Sequence, residues 1–237
     1  MTERKPKARP KFEKCRYSTV VTEAVSLDGL AAEVRRCGAC PLSRTRKNAV
    51  PGEGNVQSGI VFVGEAPGAK EDAQGRPFVG SAGKLLSQLL KKNGLLREEV
   101  FITNTVKCRP PGNRPPKTQE MNACRPFLHR QLHLLEPRLV CTLGNSPLHA
   151  LVGAGLSISE VHGKLTEAGG LRFLPLYHPA AILYRRRLMA DMEKDFELIG
   201  KMARQAPAPP EPQPGERPLP RDVPPLVGHI EQWAEER

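Results

Sequence analysis

Short apolar runs alternate with amphipathic stretches along the middle of the chain. The runs at residues 60–63, 100–106 and 139–143 are rich in β-branched and other apolar residues, and they predict strands. Apolar residues at helical spacing predict helices at the following ranges: 83–92, 118–136, 146–152 and 188–203. Residues 164–166 and 171–176 flank a Gly-Gly turn and predict a hairpin. Strands that alternate with helices indicate an α/β fold, in which helices cover both faces of a parallel sheet.

Both ends of the chain differ from the middle in composition. Residues 1–29 begin with a basic, aperiodic stretch, for which we predict a flexible arm. Residues 204–237 contain nine of the 24 prolines, and we predict a disordered tail because proline cannot continue a helix or a sheet interior. Leu226, Ile230 and Trp233 recur at i, i+4 and i+7, so this tail either carries a short helix that docks a protein partner or frays. The predicted domain therefore spans residues 30–203.

The charge of the chain favours a polyanionic partner. Its 237 residues carry a formal net charge of +11, so DNA or RNA is the first candidate, although a solvated basic surface has the same composition. No apolar run approaches the roughly 20 residues that cross a bilayer, and the basic N-terminus has no apolar stretch behind it. We therefore expect a cytoplasmic monomer with no membrane association.

The cysteines favour a metal centre over disulfides, because disulfides are rare in the cytoplasm. The candidate ligands are Cys37, Cys40, Cys108 and Cys124. Four thiolates suit either a tetrahedral zinc ion or an iron–sulfur cluster. A redox dithiol at the CxxC pair is less favoured, since this pair does not follow a strand that opens a helix. Cys141 lies inside an apolar strand and is expected to be a small buried hydrophobe, and Cys15 is expected to be a free thiol.

The loops after the predicted strands are where a sheet of this kind binds its ligands. The loop at 64–68 reads GEAPG, a tight turn whose backbone can approach a ligand closely. Glu65 lies at the strand tip, where its carboxylate could hold a water molecule, accept a ligand N–H group or simply be solvated. The loop lacks the GxxxxGK[ST] pattern of a nucleotide-binding P-loop. A helix follows at Ser81, and its free N–H groups could bind a phosphate.

Three further side chains lie at or near predicted strand ends. Phe78, in a Gly- and Pro-rich loop, is either a lid on the core or a platform on which a base stacks. Asn104 lies inside a strand fit for burial, so its amide either bonds to neighbouring backbone or reads a base edge. His178 follows a strand and precedes Pro179, which favours a site role over a structural one. A basic run suited to phosphates comes next: Arg185, Arg186 and Arg187.

Four motifs and the cysteines together resemble the type-4 uracil-DNA glycosylases, the iron–sulfur class of that enzyme. The motifs are GEAPG at 64–68, GRPFVG at 75–80, NTVKCRPPGNR at 104–114 and HPA at 178–180. The resemblance covers about residues 30–203 and leaves both tails outside it. It implies a three-layer α/β/α sandwich around a short central parallel sheet, and a [4Fe-4S] cluster rather than zinc on the four cysteines.

The resemblance also implies a DNA-repair hydrolase that flips uracil out of DNA and breaks its N-glycosidic bond, leaving an abasic site. The implied pocket consists of Glu65, Ala66, Pro67, Phe78, Asn104 and His178. In it Phe78 stacks on the base, Asn104 reads the uracil edge and rejects cytosine, and His178 stabilises the leaving uracil anion. Glu65 or the backbone at Ala66 places the attacking water, and one side chain within 182–185 fills the gap left by the base.

Three alternatives are open at this point. One is a relative of the same fold that traps uracil-DNA covalently; that branch carries a basic, histidine-containing insertion after the third cysteine, and residues 110–114 contain no histidine. The second is a non-catalytic DNA-binding relative, against which the complete set of motifs at the strand tips argues. The third is an electron-transfer protein, but no flavin or dinucleotide fingerprint accompanies the cysteines.

Overall fold

The computed structural model describes residues 26–55 and 57–205. The predicted tail beyond residue 205 and the first 25 residues of the predicted arm, which include Cys15, lie outside the described residues. Helix α1 (Leu27–Arg36) begins inside the range predicted as the arm, so the last residues of that range are helical. Ser26 starts this helix by accepting a hydrogen bond from the Gly29 N–H at 3.1 Å, which satisfies a donor that the helix itself cannot pair.

One sheet of six strands forms the centre of the described part, and its four inner strands are parallel. The strands are β1 (Glu53–Gly54), β2 (Ile60–Gly64), β3 (Phe101–Asn104), β4 (Leu139–Leu143), β5 (Thr166–Ala168) and β6 (Leu171–Leu176). Their spatial order is β1-β3-β2-β4-β6-β5, and the edge strands β1 and β5 pair antiparallel with their neighbours. The parallel centre and the β5–β6 hairpin confirm the prediction from the sequence.

Helices lie on both faces of this sheet. After α1 they are α2 (Ala69–Gln74), α3 (Ser81–Lys92), α4 (Thr118–Leu135), α5 (Asn145–Leu151), α6 (Ile158–Val161), α7 (Pro179–Tyr184) and α8 (Met189–Gln205). The four helices predicted from apolar spacing, α3, α4, α5 and α8, are all present within one or two residues of their expected bounds. No helix in the described ranges is long and apolar enough to cross a membrane.

The inner strands send alternate side chains into two apolar layers, as the period of two in a strand requires. Phe62 of β2 lies in one layer with Leu86 of α3 and Phe196 of α8. Its neighbour Val63 lies in the other layer with Leu128 of α4. Apolar layers on both sides of one sheet confirm the three-layer α/β/α sandwich.

The structure differs from the sequence prediction in two loops and at one strand end. The segments after β2 and β6, expected to be loops, contain the helices α2 and α7. Each has only six residues, and so short a helix shows no apolar period in the sequence. Strand β3 ends at Asn104 instead of residue 106.

Candidate active site and cysteine centre

The carboxyl ends of the parallel strands meet at one edge of the sheet, and the motif residues lie there. Gly64 ends β2 and Asn104 ends β3, and these two residues are register partners. His178 lies just beyond β6, where it caps the start of α7. Phe78, in the loop between α2 and α3, contacts His178 from the other side. We call the space bounded by Gly64, Phe78, Asn104 and His178 the strand-end pocket.

Gly64 forms the floor of the strand-end pocket because no side chain fits there. A Cβ atom on Gly64 would lie 2.6 Å from Cζ of Phe78, and it would also collide with Oδ1 of Asn104. The Phe78 ring and the Asn104 amide therefore approach the same strand end from two sides. Any larger residue at position 64 would displace at least one of them.

The loop that carries Phe78 is fixed by side chains of its neighbours. Oε1 of Glu71 accepts hydrogen bonds from the N–H groups of Val79, at 2.9 Å, and Gly80, at 2.8 Å. The guanidinium of Arg97 donates to the carbonyl of Pro77. Phe78 itself has a φ of +50°, a left-handed conformation that is costly for a bulky residue and persists only where its surroundings hold it. The position of the ring is therefore set by the protein before any ligand arrives.

Asn104 presents an unpaired acceptor inside the protein. The residue is 1% exposed, and its Oδ1 atom has no hydrogen-bond partner among the described residues. A buried acceptor without a partner costs about 1–3 kcal/mol, so it calls for an explanation such as a ligand that supplies the missing donor. Of the two alternatives for this amide, a bond from Oδ1 to neighbouring backbone is not found among the described residues.

His178 is held as a neutral imidazole. Its Nδ1 atom accepts the Ala180 N–H at 3.1 Å, so the proton of the neutral ring lies on Nε2. Burial lowers the pKa of His178 to about 4, although the carboxylate of Glu71 acts in the opposite direction. The imidazole stacks on the Phe78 ring, with centroids 5.6 Å apart. At neutral pH, His178 therefore offers a ligand one N–H donor and no positive charge.

The carboxylate of Glu65 lies outside the strand-end pocket. Glu65 directly follows Gly64, so its side chain points to the opposite face of the sheet. There it lines a separate cavity of about 220 Å³ between the sheet, α4 and α5. Burial raises the pKa of Glu65, while a hydrogen bond with Ser146 lowers it. Of the predicted pocket side chains, the structure thus groups Phe78, Asn104 and His178 and places Glu65 elsewhere.

The backbone of the GEAPG turn is tied to the segment that follows β3. The Thr105 N–H donates to the carbonyl of Gly64 at 2.8 Å, and the Val106 N–H donates to that of Glu65 at 3.2 Å. These bonds continue the pairing of the two segments beyond the end of β3. Ala66 packs against a separate apolar cluster around the cysteines, and Pro67 is buried.

The predicted phosphate-binding arginines lie on an exposed turn after α7. All three residues of 185–187 are exposed. In the segment before them, Ile182 is only 2% exposed, whereas Leu183 is 50% and Tyr184 is 89% exposed. Ile182 therefore belongs to the core, and Leu183 and Tyr184 present apolar surface beside three positive charges.

The four predicted metal ligands line one small cavity. They are Cys37 at the end of α1, Cys40 just after it, Cys108 beyond β3 and Cys124 within α4. Helix α1 is fixed on α4 by a bidentate ion pair between Glu33 and Arg130, with N–O distances of 2.6 and 2.9 Å. A second bidentate pair, Arg114 with Glu120 at 2.7 and 2.9 Å, ties the segment after Cys108 to the start of α4. These pairs bring the distant CxxC segment to the other two cysteines.

Hydrogen-bond donors approach the sulfur atoms of this cavity. Nη1 of Arg46 lies 2.9 Å from Sγ of Cys108, and the Lys107 N–H donates to Sγ of Cys124 at 3.2 Å. Burial raises the pKa of both thiols, that of Cys124 to about 11, and the two cationic residues oppose this shift. Within residues 26–55 and 57–205, no three cysteine, histidine or acidic side chains lie close enough to hold one metal ion. Cys141 lies apart, fully buried in β4.

Two residues of the site are not evident from sequence reasoning. Glu71 fixes the Phe78 loop, but an acidic residue in the first turn of a helix is common and signals no such role. Lys107 is 1% exposed and bonds to the backbone of Asn104. Its only signal in the sequence is its place inside the 104–114 motif, because lysine is rarely buried.

The comparison with known families agrees with this geometry. Residues 51–200 match the family model of the uracil DNA glycosylase superfamily. The matched range contains all six strands and every residue of the strand-end pocket. The chain therefore belongs to the uracil DNA glycosylase superfamily.

Individual relatives narrow the family further. The chain is 44% identical over 185 residues to the type-4 uracil-DNA glycosylase of Archaeoglobus fulgidus. This alignment covers 75% of this chain and 93% of the relative. The chain is 48% identical over 183 residues to the type-4 enzyme of Saccharolobus solfataricus, and this alignment covers 73% of this chain and 85% of the relative. The enzyme of Thermotoga maritima is 44% identical over 180 residues, with coverages of 73% and 94%. Within the superfamily, the chain is a member of the type-4 uracil-DNA glycosylases, which confirms the resemblance seen in the motifs.

Proposed function

We propose that this chain is a DNA-repair glycosylase that hydrolyses the N-glycosidic bond of uracil in DNA and leaves an abasic site. The observation that carries the proposal is the unpaired Oδ1 of Asn104, buried next to the ring of Phe78. Uracil has an N3–H donor between two carbonyl groups and a flat aromatic face, so it complements both side chains. The activity named for the type-4 relatives supports the same substrate.

Asn104 and Phe78 divide the recognition of the flipped base. Oδ1 of Asn104 accepts the N3–H of uracil, and the amide N–H group of the same side chain donates to O4. Cytosine carries an acceptor at N3 and a donor at N4, so both contacts are mismatched with the amide in this orientation. A mismatch between buried polar groups can be worth roughly 10⁴-fold in discrimination. The face of the base stacks on Phe78 and replaces part of the contact between Phe78 and His178.

His178 acts on the charge that develops as the bond breaks. The electron pair of the C1′–N1 bond leaves with uracil, which becomes an anion, while the oxygen of a water molecule bonds to C1′ and releases its proton to solvent. The Nε2–H of neutral His178 donates to a carbonyl oxygen of the leaving uracil and stabilises that anion. Because the carboxylate of Glu65 lies on the other face of the sheet, the backbone of the turn at Ala66 is the better candidate to position the water.

The four cysteines would hold a [4Fe-4S] cluster. Four thiolates around one cavity are the donor set that either a zinc ion or an iron–sulfur cluster takes. The resemblance of the motifs to the iron–sulfur class favours the cluster. The donors from Arg46 and Lys107 suit thiolate ligands, whose charge they offset. Its contribution would be a cross-link between α1, the segment after β3, and α4.

Replacing Cys124 by serine is expected to abolish iron binding, because the cluster would lose one of its four ligands. Replacing Cys141 by serine is the matched control: this thiol is also buried, but it lies in β4 away from the cavity, so its variant should keep its iron. Iron and zinc are measured in protein purified without oxygen, together with the absorbance near 400 nm. Stoichiometric zinc without iron in the wild type would refute the cluster.

The exposed arginines 185–187 are expected to contact DNA phosphates. Binding of duplex DNA should weaken steeply with salt, and the slope of log K against log salt should fall by about 0.9 for each arginine–phosphate contact that is removed. The test replaces all three arginines by alanine and measures the slope. A control variant replaces Lys91 and Lys92, in the last turn of α3 and thus remote from the strand-end pocket, and should leave the slope nearly unchanged. A triple variant with an unchanged slope would place the DNA contact elsewhere.

The proposed activity is tested on a gel with uracil-containing oligonucleotides, single- and double-stranded. Alkali-labile sites at uracil, and none at cytosine, are the expected result. A covalent protein–DNA adduct would instead indicate a uracil-trapping relative. Binding without strand breakage would indicate a non-catalytic DNA-binding protein.

A further inference from the structure

Lys107 places a positive charge in the core, directly behind the strand-end pocket. The residue is 1% exposed. Its Nζ atom donates to Oγ1 of Thr103 at 2.7 Å, to the carbonyl of Asn104 at 2.8 Å and to Oε1 of Gln131 at 2.6 Å. None of the ion pairs among the described residues includes it. Burying a cation without a carboxylate partner is costly, so this arrangement needs a reason.

The hydrogen bonds around Lys107 favour its charged form. The hydroxyl of Thr103 has two acceptors of its own, the carbonyl of Pro51 at 2.9 Å and Oε1 of Gln131 at 3.2 Å, and with its proton on either of them it accepts from Lys107. The amide nitrogen of Gln131 donates to the same carbonyl at 2.6 Å, which turns Oε1 toward Lys107. The third partner, the carbonyl of Asn104, is also an acceptor. Three acceptors need three N–H donors, which an ammonium group has and a neutral amine lacks.

The backbone around Lys107 is anchored on both sides. Its N–H group donates to Sγ of Cys124, and its carbonyl accepts the Val50 N–H at 2.7 Å. From this fixed position the side chain folds back by three residues onto Asn104, where β3 ends. The peptide that carries the Asn104 amide is thus held by a charge-assisted hydrogen bond, which is about twice as strong as a neutral one.

We propose that Lys107 is the positioning residue for Asn104, and that its ammonium group keeps the Asn104 amide aimed at uracil. This inference rests on the proposed function. Shifts of about 1 Å in a reacting group can cost 10²-fold in rate, so a rigid peptide under Asn104 has a direct effect on catalysis. Lys107 need not touch the substrate for this effect.

A double-mutant cycle tests whether Lys107 acts through Asn104. Lys107→Met, Asn104→Ala and the double variant are made in the full chain and purified with their iron. Uracil release is measured in single turnover, and binding of free uracil and of abasic-site DNA is measured by calorimetry. Gln131→Met is the matched control, because it removes another partner of the ammonium group and keeps the bond to Asn104.

Lys107→Met is expected to slow uracil release about 10- to 100-fold and to weaken binding of free uracil, as loss of a hydrogen bond from a charged group would. Iron content and affinity for abasic-site DNA should stay at wild-type values. In the Asn104→Ala background, Lys107→Met should change the rate by less than about threefold, because residues that act together are not additive. Gln131→Met should stay within about threefold of the wild type.

Three results would overturn the inference. One is an additive cycle, in which Lys107→Met slows the Asn104→Ala variant as much as it slows the wild type. Another is unchanged binding of free uracil by Lys107→Met. The third is loss of iron or of cooperative melting in both Lys107→Met and Lys107→Gln, which would assign Lys107 a purely structural role. A wild-type protein that releases no uracil would refute the proposed function itself, and the inference with it.

Discussion

Replacing Asn104 by alanine is expected to slow uracil release by at least about 100-fold, the size of effect seen when one positioned polar group is removed from a transition state. The variant loses both proposed contacts to the uracil edge. In the wild type Oδ1 of Asn104 has no partner among the described residues, so its removal breaks no internal hydrogen bond of that atom. Discrimination against cytosine should not improve, because the group that reads the base is gone. Single-turnover cleavage, iron content and thermal melting are measured on the same preparation.

Asn93→Ala is the control for this experiment. Asn93 donates its amide N–H group to the carbonyl of Leu89 at the end of α3, so its loss removes a half-buried hydrogen bond without touching the pocket. It should leave the rate per folded molecule unchanged. A folded, iron-loaded Asn104→Ala variant that cleaves at the wild-type rate would disprove the role of Asn104. A rate that falls only in proportion to folded protein would make Asn104 a structural residue.

Replacing His178 by alanine should slow the chemical step by about 10²- to 10³-fold, as the loss of an oxyanion donor does. Binding to abasic-site DNA should change little, because the charge that His178 stabilises exists only as the bond breaks. His129→Ala is the matched control. His129 is also buried with a lowered pKa, but it lines the separate cavity on the other face of the sheet.

The pH dependence of the rate distinguishes a neutral from a charged His178. Burial lowers the pKa of His178 to about 4, so the neutral imidazole predominates throughout the range from pH 5 to 8. The wild-type single-turnover rate should therefore show no step near 6.5, the ordinary pKa of histidine. If the imidazolium were the donor, the rate would rise as the pH fell through that value. A step near 6.5 that disappears in His178→Ala and persists in His129→Ala would contradict the neutral form.

The sequence predicts the sheet well because apolar runs and helical spacing are local signals. Asn104 and His178 could be found because each lies at a strand end, and such ends converge in a parallel sheet. Phe78 could be found because its loop carries a recognisable motif. The side chain of Glu65 could not be placed so easily. The alternation of faces along a strand separates it from Gly64, but the sequence does not show where that strand ends and the turn begins.

Long-range ion pairs and buried cations cannot be predicted from local patterns in the sequence. Glu33 and Arg130 are 97 residues apart, and nothing local indicates that they pair. The cysteine spacing suggests a metal centre but cannot choose the metal. The burial of Lys107 could not be predicted for a different reason. It depends on three hydrogen-bond acceptors that come together only in the folded chain.

The carboxylate of Glu71 takes up two backbone donors that a DNA phosphate could otherwise use. The start of a helix is a common place for a phosphate to bind, but just before α3 Glu71 already accepts the N–H groups of Val79 and Gly80. An incoming phosphate would find these two donors occupied. The Val79 and Gly80 N–H groups thus hold the loop that carries Phe78 and are not available to the sugar–phosphate chain of the DNA.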